Sequence, residues 1–230
     1  MKITVLGCGM VGQSIAGKLD DLDHDVIMGT RNAEDTLQRT DPNQMTGISF
    51  SEWHSNHPDV SVRNYEESAD EAELVINATS GSGSIPALNT VGAEKLGGLT
   101  LIDIANPLDF SQGMPPSLSV CNTDSLGEQI QREFPNINVV KSLNTMNAML
   151  MVDPTLVPGN HNVFMSGNDA GAKSQVVELL QSFGWKNSNI LDLGDISTAR
   201  GTEMLLPVWL RLWGALGTPE FNFNIVTKKS

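Results

Sequence analysis

Up to Asn144, short apolar runs alternate with stretches whose apolar positions recur every three to four residues. The runs Ile3–Leu6, Asp25–Met28, Val60–Arg63, Glu73–Ala78, Thr100–Ile104 and Asn138–Ser142 predict six strands. Several read as continuous apolar segments, as strands covered on both faces do. From Met10 to Leu19 the residues Val11, Ile15 and Leu19 share one stripe, which predicts a crossover helix. A second helix starts at Asp124 or Ser125, either of which can cap it, and runs to Phe134. Strands alternating with helices in this way predict an α/β fold with a doubly wound parallel sheet.

Beyond Asn144 the alternation is less regular. Asn162–Ser166 predicts a seventh strand, Asp169–Phe183 a helix, Ile190–Leu193 a short strand, and Ser197–Leu216 a last helical region that Pro207 should kink or restart. In that region Leu205, Trp209, Leu212 and Leu216 recur at helical spacing, widened by Leu206 and Trp213, with Arg211 and Gly214 opposite. Three uses of so broad a stripe stay open: packing on the parent domain, a subunit interface, or a wall of a second-substrate pocket. The polar stretch from Arg39 to Pro58 is longer than a usual crossover connection and predicts an insertion or an extended second helix.

Charge narrows the choice of partners. The 230 residues carry 14 Lys+Arg against 27 Asp+Glu, a formal net charge of −13. Nucleic acid and anionic membrane surfaces both call for basic patches, so neither is an expected partner. An anionic ligand would have to be held by a local device. Two cysteines, Cys8 and Cys121, without a CxxC pair, point to a reducing compartment. The apolar start Ile3–Leu6 is too short for a signal peptide, and Leu205–Leu216 is far below the ~20 residues of a membrane span. A cytoplasmic protein is expected.

The local device for an anion is visible at the first strand-to-helix turn. Gly7-Cys8-Gly9-Met10-Val11-Gly12 matches G-x-G-x-x-G, directly after a strand and opening an amphipathic helix. The first glycine permits the turn, the second lets backbone approach a pyrophosphate, and the third lets helix pack on strand. Backbone N–H groups and the positive helix end then hold phosphates. The plain alternative is a structural turn.

The end of the second strand chooses the dinucleotide. An NAD site usually has Asp or Glu there. This chain has Thr30-Arg31-Asn32, in which Arg31 can grip a 2′-phosphate and Thr30 and Asn32 add neutral donors. NADP(H) is the expected cofactor; otherwise Arg31 merely caps a surface turn. Ala78 and Thr79, in the small flexible run Asn77–Ser84, should lie under the pyrophosphate or near the nicotinamide, unless the run is an ordinary loop. Asn106 ends the fifth strand. Asn144, after the sixth, either contacts the nicotinamide amide or caps the next helix.

No Ser-Tyr-Lys triad, no carboxylate pair with a histidine and no zinc ligand set is evident. His54 and His57 are expected on a solvated helix face, and Cys8 as a small packed side chain. Carbonyl reduction needs a proton donor beside the oxygen. Hydride transfer to a flavin or deazaflavin ring needs mostly alignment, so the residues lean toward exchange between two redox coenzymes.

These features carry a likeness. Through Gly7–Gly12, Gly29-Thr30-Arg31-Asn32, Val140-Lys141-Ser142-Leu143-Asn144-Thr145 and Val163-Phe164-Met165-Ser166-Gly167-Asn168-Asp169, the chain resembles the coenzyme F420-dependent NADP oxidoreductase family. It is also similar to the cytoplasmic reductase domain of six-transmembrane ferric reductases. The likeness covers nearly the whole chain. It implies a Rossmann NADP-binding domain, residues 1–145, with a small C-terminal extension, residues 146–230, that supplies an acceptor pocket, a subunit interface or both. It further implies a homodimer or higher oligomer, NADP contacts at Cys8 to Val11, Thr30 and Arg31, and direct hydride transfer without an obligate catalytic side chain. The expected activity is hydride exchange between NADPH and a flavin-like or deazaflavin (F420) coenzyme. Two other readings stand beside it: a hydroxyacid or imine dehydrogenase, which normally needs a longer helical second domain, and a non-catalytic NADP(H) sensor that uses the Trp-bearing helix for a partner.

Overall fold

The computed structural model describes residues 1–43 and 46–228. In chain order they form β1 (Lys2–Leu6), α1 (Met10–Asp21), β2 (Asp25–Thr30), α2 (Ala33–Leu37), α3 (Phe50–Asn56), β3 (Ser61–Asn64), α4 (Tyr65–Ser68), β4 (Leu74–Asn77), α5 (Gly81–Val91), α6 (Ala93–Leu96) and β5 (Thr100–Asp103). A two-stranded antiparallel ribbon, β6 (Leu108–Asp109) with β7 (Ser117–Leu118), leads to α7 (Leu126–Glu133) and β8 (Asn138–Ser142). The remainder is α8 (Ala148–Val152), β9 (Val163–Gly167), α9 (Ala170–Ser182), β10 (Ile190–Asp192) and α10 (Ala199–Leu216).

Eight strands make one sheet in the order β10-β9-β8-β5-β4-β1-β2-β3. From β3 to β8 every neighbouring pair is parallel, with Ile3 opposite Val26 on one side of β1 and opposite Leu74 on the other. The expected doubly wound Rossmann sheet is therefore present. Strand β9 runs antiparallel to β8, with Lys141 opposite Ser166, and β10 runs parallel to β9. Residues after Asn144 thus add two strands to the same sheet.

Because the side-chain period of a strand is two, Val5 and Leu6 feed opposite faces. Val5 joins Ile3, Ile15, Leu19 and Ile76 on one, and Leu6 joins Val75, Leu88, Leu101 and Ile130 on the other, all essentially fully buried. Each such side chain contributes about 1.5–3 kcal/mol by leaving water. Chain order reverses between β1 and β4, the switch point at whose carboxyl edge a doubly wound sheet opens a crevice.

Four features refine or correct the sequence reading. The run Asn77–Ser84 is not a loop throughout: α5 begins at Gly81, because Ala87, Leu88 and Val91 are buried and that packing overrides the poor helix propensity of Gly and Ser. Of the two expectations for the polar stretch 39–58, the insertion agrees with the described residues, which carry the separate short helix α3, and the extended second helix does not. His54 and His57 are not on a solvated face: His57 bonds Asp20 at 3.0 Å and lies against Trp53, and His54 bonds the Val60 carbonyl at 3.0 Å. Pro207 does not restart α10, which runs from Ala199 to Leu216 and is held on both sides of the proline by buried Glu203, Leu206 and Trp209.

Candidate functional site

The glycine loop is built from contacts that only hydrogen side chains permit. Gly7 has φ +109°, and a Cβ there would stand 2.7 Å from the Ala78 carbonyl oxygen. A Cβ on Gly12 would stand 1.9 Å from the Gly7 carbonyl oxygen, so α1 can approach β1 only with glycine at that position. Gly9 differs: it is the N-cap of α1, offers no side-chain hydrogen bond, and a Cβ on it would meet nothing within 4 Å. No acidic residue occupies the first turn of α1. The helix therefore aims unpaired N–H groups and its positive end into open space, a fit for a pyrophosphate.

That space is a cavity of about 630 Å³ bounded by Gly7, Cys8, Gly9, Thr30, Arg31, Ala78 and Thr79. A second cavity of about 480 Å³ shares Ala78, Thr79, Ser80 and Ser82 with the first, so the two form one cleft along the carboxyl edge of the sheet. Met10, Val11, Asn106 and Asn144 line the second. Asn32 lies at the other end, in a small side pocket with Thr30 and Arg31. Every residue singled out as a cofactor contact thus borders this cleft, except Gly12, which packs beneath Gly7.

Arg39 joins this set without having been singled out. It borders both the first cavity and the side pocket, donates from Nη2 to the Cys8 carbonyl at 3.0 Å, and lies 5.2 Å above the Phe50 ring. Among the described residues neither Arg31 nor Arg39 pairs with a carboxylate. Two guanidiniums that border the same pockets and pair with no carboxylate among the described residues make a local anion site in a chain of net charge −13. The Cys8 thiol is no competitor for chemistry: burial pushes it up to about 11.

Under the second cavity, Asn144 and Asn106 clasp each other. Asn144 donates to Asn106 Oδ1 at 3.0 Å, and Asn106 donates to the Asn144 carbonyl at 2.9 Å. Asn144 does not cap the following helix; Asn147 does, accepting from Met149 N–H at 2.8 Å. The turn presenting Asn144 holds Leu143 at φ +63°, a left-handed backbone costing a leucine roughly 1–2 kcal/mol. Leu206, Leu210, Trp209 and Trp213 wall the cavity from α10 and Phe110 from the ribbon. The buried stripe of α10 runs through Thr202, Glu203, Leu206 and Trp209, and Leu216 is exposed, so the predicted stripe is rotated.

A buried polar chain ties the cleft to α10. Thr79 Oγ1 donates to Asn77 Oδ1 at 2.7 Å, and Asn77 Nδ2 donates to Asp103 Oδ1 at 2.8 Å. Lys141, fully buried, pairs with Asp103 and with Glu203, each at 2.8 Å, and donates to the Ala105 carbonyl. Glu203 also accepts from the N–H groups of Leu126 and Gly127 at the start of α7. Burial alone would discharge the Lys141 ammonium, but the fields of Asp103 and then Glu203 outweigh it and hold its pKa above the ordinary value. Nothing in the spacing of Asp103, Lys141 and Glu203 along the chain announces that the three meet.

Among the described residues no helix is long and apolar enough to cross a membrane. The family profile described as "NADP oxidoreductase coenzyme F420-dependent" matches residues 2–107. A protein of Arthrobacter sp. FB24, provisionally named an F420-dependent NADP reductase, is 58% identical; the match covers 99% of this chain and 100% of that one, with a TM-score of 0.94. Metalloreductase STEAP3 of Rattus norvegicus is 26% identical over 213 residues, 90% of this chain but only 38% of that longer protein. An imine reductase of Streptomyces aurantiacus shares the fold alone, at 15% identity, with 94% of this chain and 63% of that one covered and a TM-score of 0.62. The match to the Arthrobacter protein, 58% identical over 99% of this chain and 100% of that one, on a cleft with a glycine loop and two arginines, leads to one assignment: the chain belongs to the coenzyme F420-dependent NADP oxidoreductase family and is an NADP-dependent oxidoreductase.

Proposed function

We propose that the protein exchanges hydride between NADPH and a deazaflavin coenzyme of the F420 type, or a flavin, and that residues 1–145 hold the dinucleotide while residues 146–230 supply the tryptophan-bearing side of the acceptor wall. In this reading Gly9, Met10 and Val11 face the pyrophosphate, Arg31 and Arg39 grip the 2′-phosphate with help from Thr30 and Asn32, and Ala78, Thr79, Asn106 and Asn144 border the nicotinamide end. NADPH, when bound, supplies the hydride.

One observation carries the choice of acceptor. The second cavity, which abuts the nicotinamide end, is walled by Phe110, Met146, Met151, Leu206, Trp209 and Trp213, and no titratable side chain lines it among the described residues. Carbonyl or imine reduction calls for a positioned proton donor. Hydride transfer between two ring systems calls for stacking and alignment, which flat apolar walls provide. What the chain contributes is orientation of both rings and exclusion of water. A homodimer and a cytoplasmic location complete the proposal.

The experiment is steady-state oxidation of NADPH, with NADH in parallel, against coenzyme F420 and against free FMN. Turnover with F420 and a marked preference for NADPH supports the reading. Tight NADPH binding without turnover of either acceptor refutes it and leaves a different substrate or a non-catalytic sensor, and sedimentation across a dilution series tests the dimer.

A further inference from the structure

Helix α10 ends at Gly217 in the left-handed conformation, φ +70°. Residues 218–226 then form neither helix nor strand. Pro219 borders the apolar cavity, while the Phe221 ring stacks on Trp209, centroids 5.3 Å apart at 23°. Phe221 does not itself line that cavity, so it backs Trp209 from the far side.

The segment is fastened mainly by amides. Asn222 Nδ2 donates to His161 Nδ1 at 2.9 Å and to the Asn162 carbonyl at 3.0 Å. Asn162 N–H donates to the Phe223 carbonyl, and Ile225 N–H donates to Asn162 Oδ1, each at 2.8 Å. The Pro154 carbonyl lies 2.9 Å from His161 Nε2, so that nitrogen carries the ring proton and Nδ1 is the acceptor.

Two polar side-chain atoms are buried without a partner among the described residues, and both belong to this contact: Trp209 Nε1 and Asn222 Oδ1. A buried polar atom without a partner opposes the state that buries it. Beyond the latch, Ile225 and Val226 are 52% and 86% exposed. The closed position therefore rests on few hydrogen bonds and one ring stack, opposed by two unmet polar groups, the profile of a segment that opens locally.

We infer that residues 218–226 are a movable strap that buttresses Trp209 and closes the rim of the acceptor cavity, with Asn222 the positioning residue that latches it, so that strap closure and binding of a planar aromatic acceptor are coupled. This rests on the reading of the cavity as the acceptor site. A planar ring against Trp209 is held best when Phe221 fixes the indole plane and Pro219 covers the edge. Loss of the latch should therefore weaken the acceptor and spare NADP(H), whose proposed contacts follow the carboxyl ends of β1, β2, β4, β5 and β8 and include no residue of the strap.

The test uses the full chain with Asn222→Ala and Phe221→Ala. The expected result is a KM for F420 raised about tenfold or more in both, with NADP⁺ binding within about twofold of the parent. In hydrogen exchange, residues 218–226 should exchange faster than residues 201–209 in the free protein, faster still in Asn222→Ala, and slower when F420 is added. An unchanged KM for F420 in both variants, or a strap as protected as α10 in the free protein, overturns the inference. If the parent does not oxidise NADPH with F420 at all, the acceptor reading fails on that count. Exchange in the free proteins then still decides whether the strap opens.

Discussion

Lys141 Nζ and Glu203 Oε1 meet at 2.8 Å with both side chains fully buried, joining β8 of the sheet to α10, the helix that carries Trp209. One ammonium is shared between two carboxylates, and the surplus negative charge is met by the N-terminus of α7 through Leu126 and Gly127. Lys141→Met would leave Asp103 and Glu203 buried without their cation, at a cost of about 3–5 kcal/mol. A fall in Tm of roughly 10 °C is expected for a chain of this size. A Tm within a degree or two of the parent would show that the network is not what holds α10 against the sheet.

Arg31 and Arg39 give a prediction independent of the acceptor. Each alanine variant should weaken NADPH binding by about 1.5–3 kcal/mol, the range for hydrogen bonds to charged groups. NADH binding should barely change. The double variant should lose less than the sum, because both guanidiniums border the same side pocket. Equal losses for NADPH and NADH, read by titration calorimetry, would remove the 2′-phosphate assignment.

Two glycines of one loop should fail in different ways. Gly12→Ala sets a methyl 1.9 Å from the Gly7 carbonyl oxygen, so backbone must move and stability should fall by several kcal/mol. Gly9→Ala places its methyl in open space at the helix N-terminus. That variant should keep the parent's Tm to within a few degrees and lose NADPH affinity about tenfold or more, since the methyl occupies the path of the pyrophosphate. Thermal melts with and without NADPH separate the two cases.

These contrasts also show what a single chain makes legible. β1, α1 and the glycine loop were readable because a continuous apolar run, a helical stripe and three glycines agree over one short segment. Helix α5 was hidden because Gly81, Ser82, Gly83 and Pro86 speak against a helix, and only burial of Ala87, Leu88 and Val91 decides for it. Arg31 stands where a strand end announces a ribose contact, whereas Arg39 reaches the same pocket from the far side of α2, a proximity set by tertiary folding. The stripe of α10 was misplaced by its polar members: Thr202 and Glu203 face inward, and Glu203 does so because Lys141 awaits it. Nothing in the spacing distinguishes β9, antiparallel to its neighbour, from a further parallel strand.

The entry to α7 supplies a prediction about acid. Asp124 accepts two hydrogen bonds from the Arg132 guanidinium, at 2.9 and 2.8 Å, and that guanidinium holds its carboxyl down at about 2, against 3.8 for an ordinary aspartate. Glu128 is lowered in the same direction, chiefly by its hydrogen bonds with Arg200. A carboxyl whose pKa is depressed by folding adds stability above its unfolded value and loses it as the pH falls through its folded value. For Asp124 that window runs from 3.8 down to about 2. Asp124→Asn should melt below the parent at pH 7, and the gap should narrow across that window, because the parent alone has a proton to gain there. A gap that stays constant from neutral pH down to about 2 would show that the Arg132 pairing contributes nothing through the charge of Asp124.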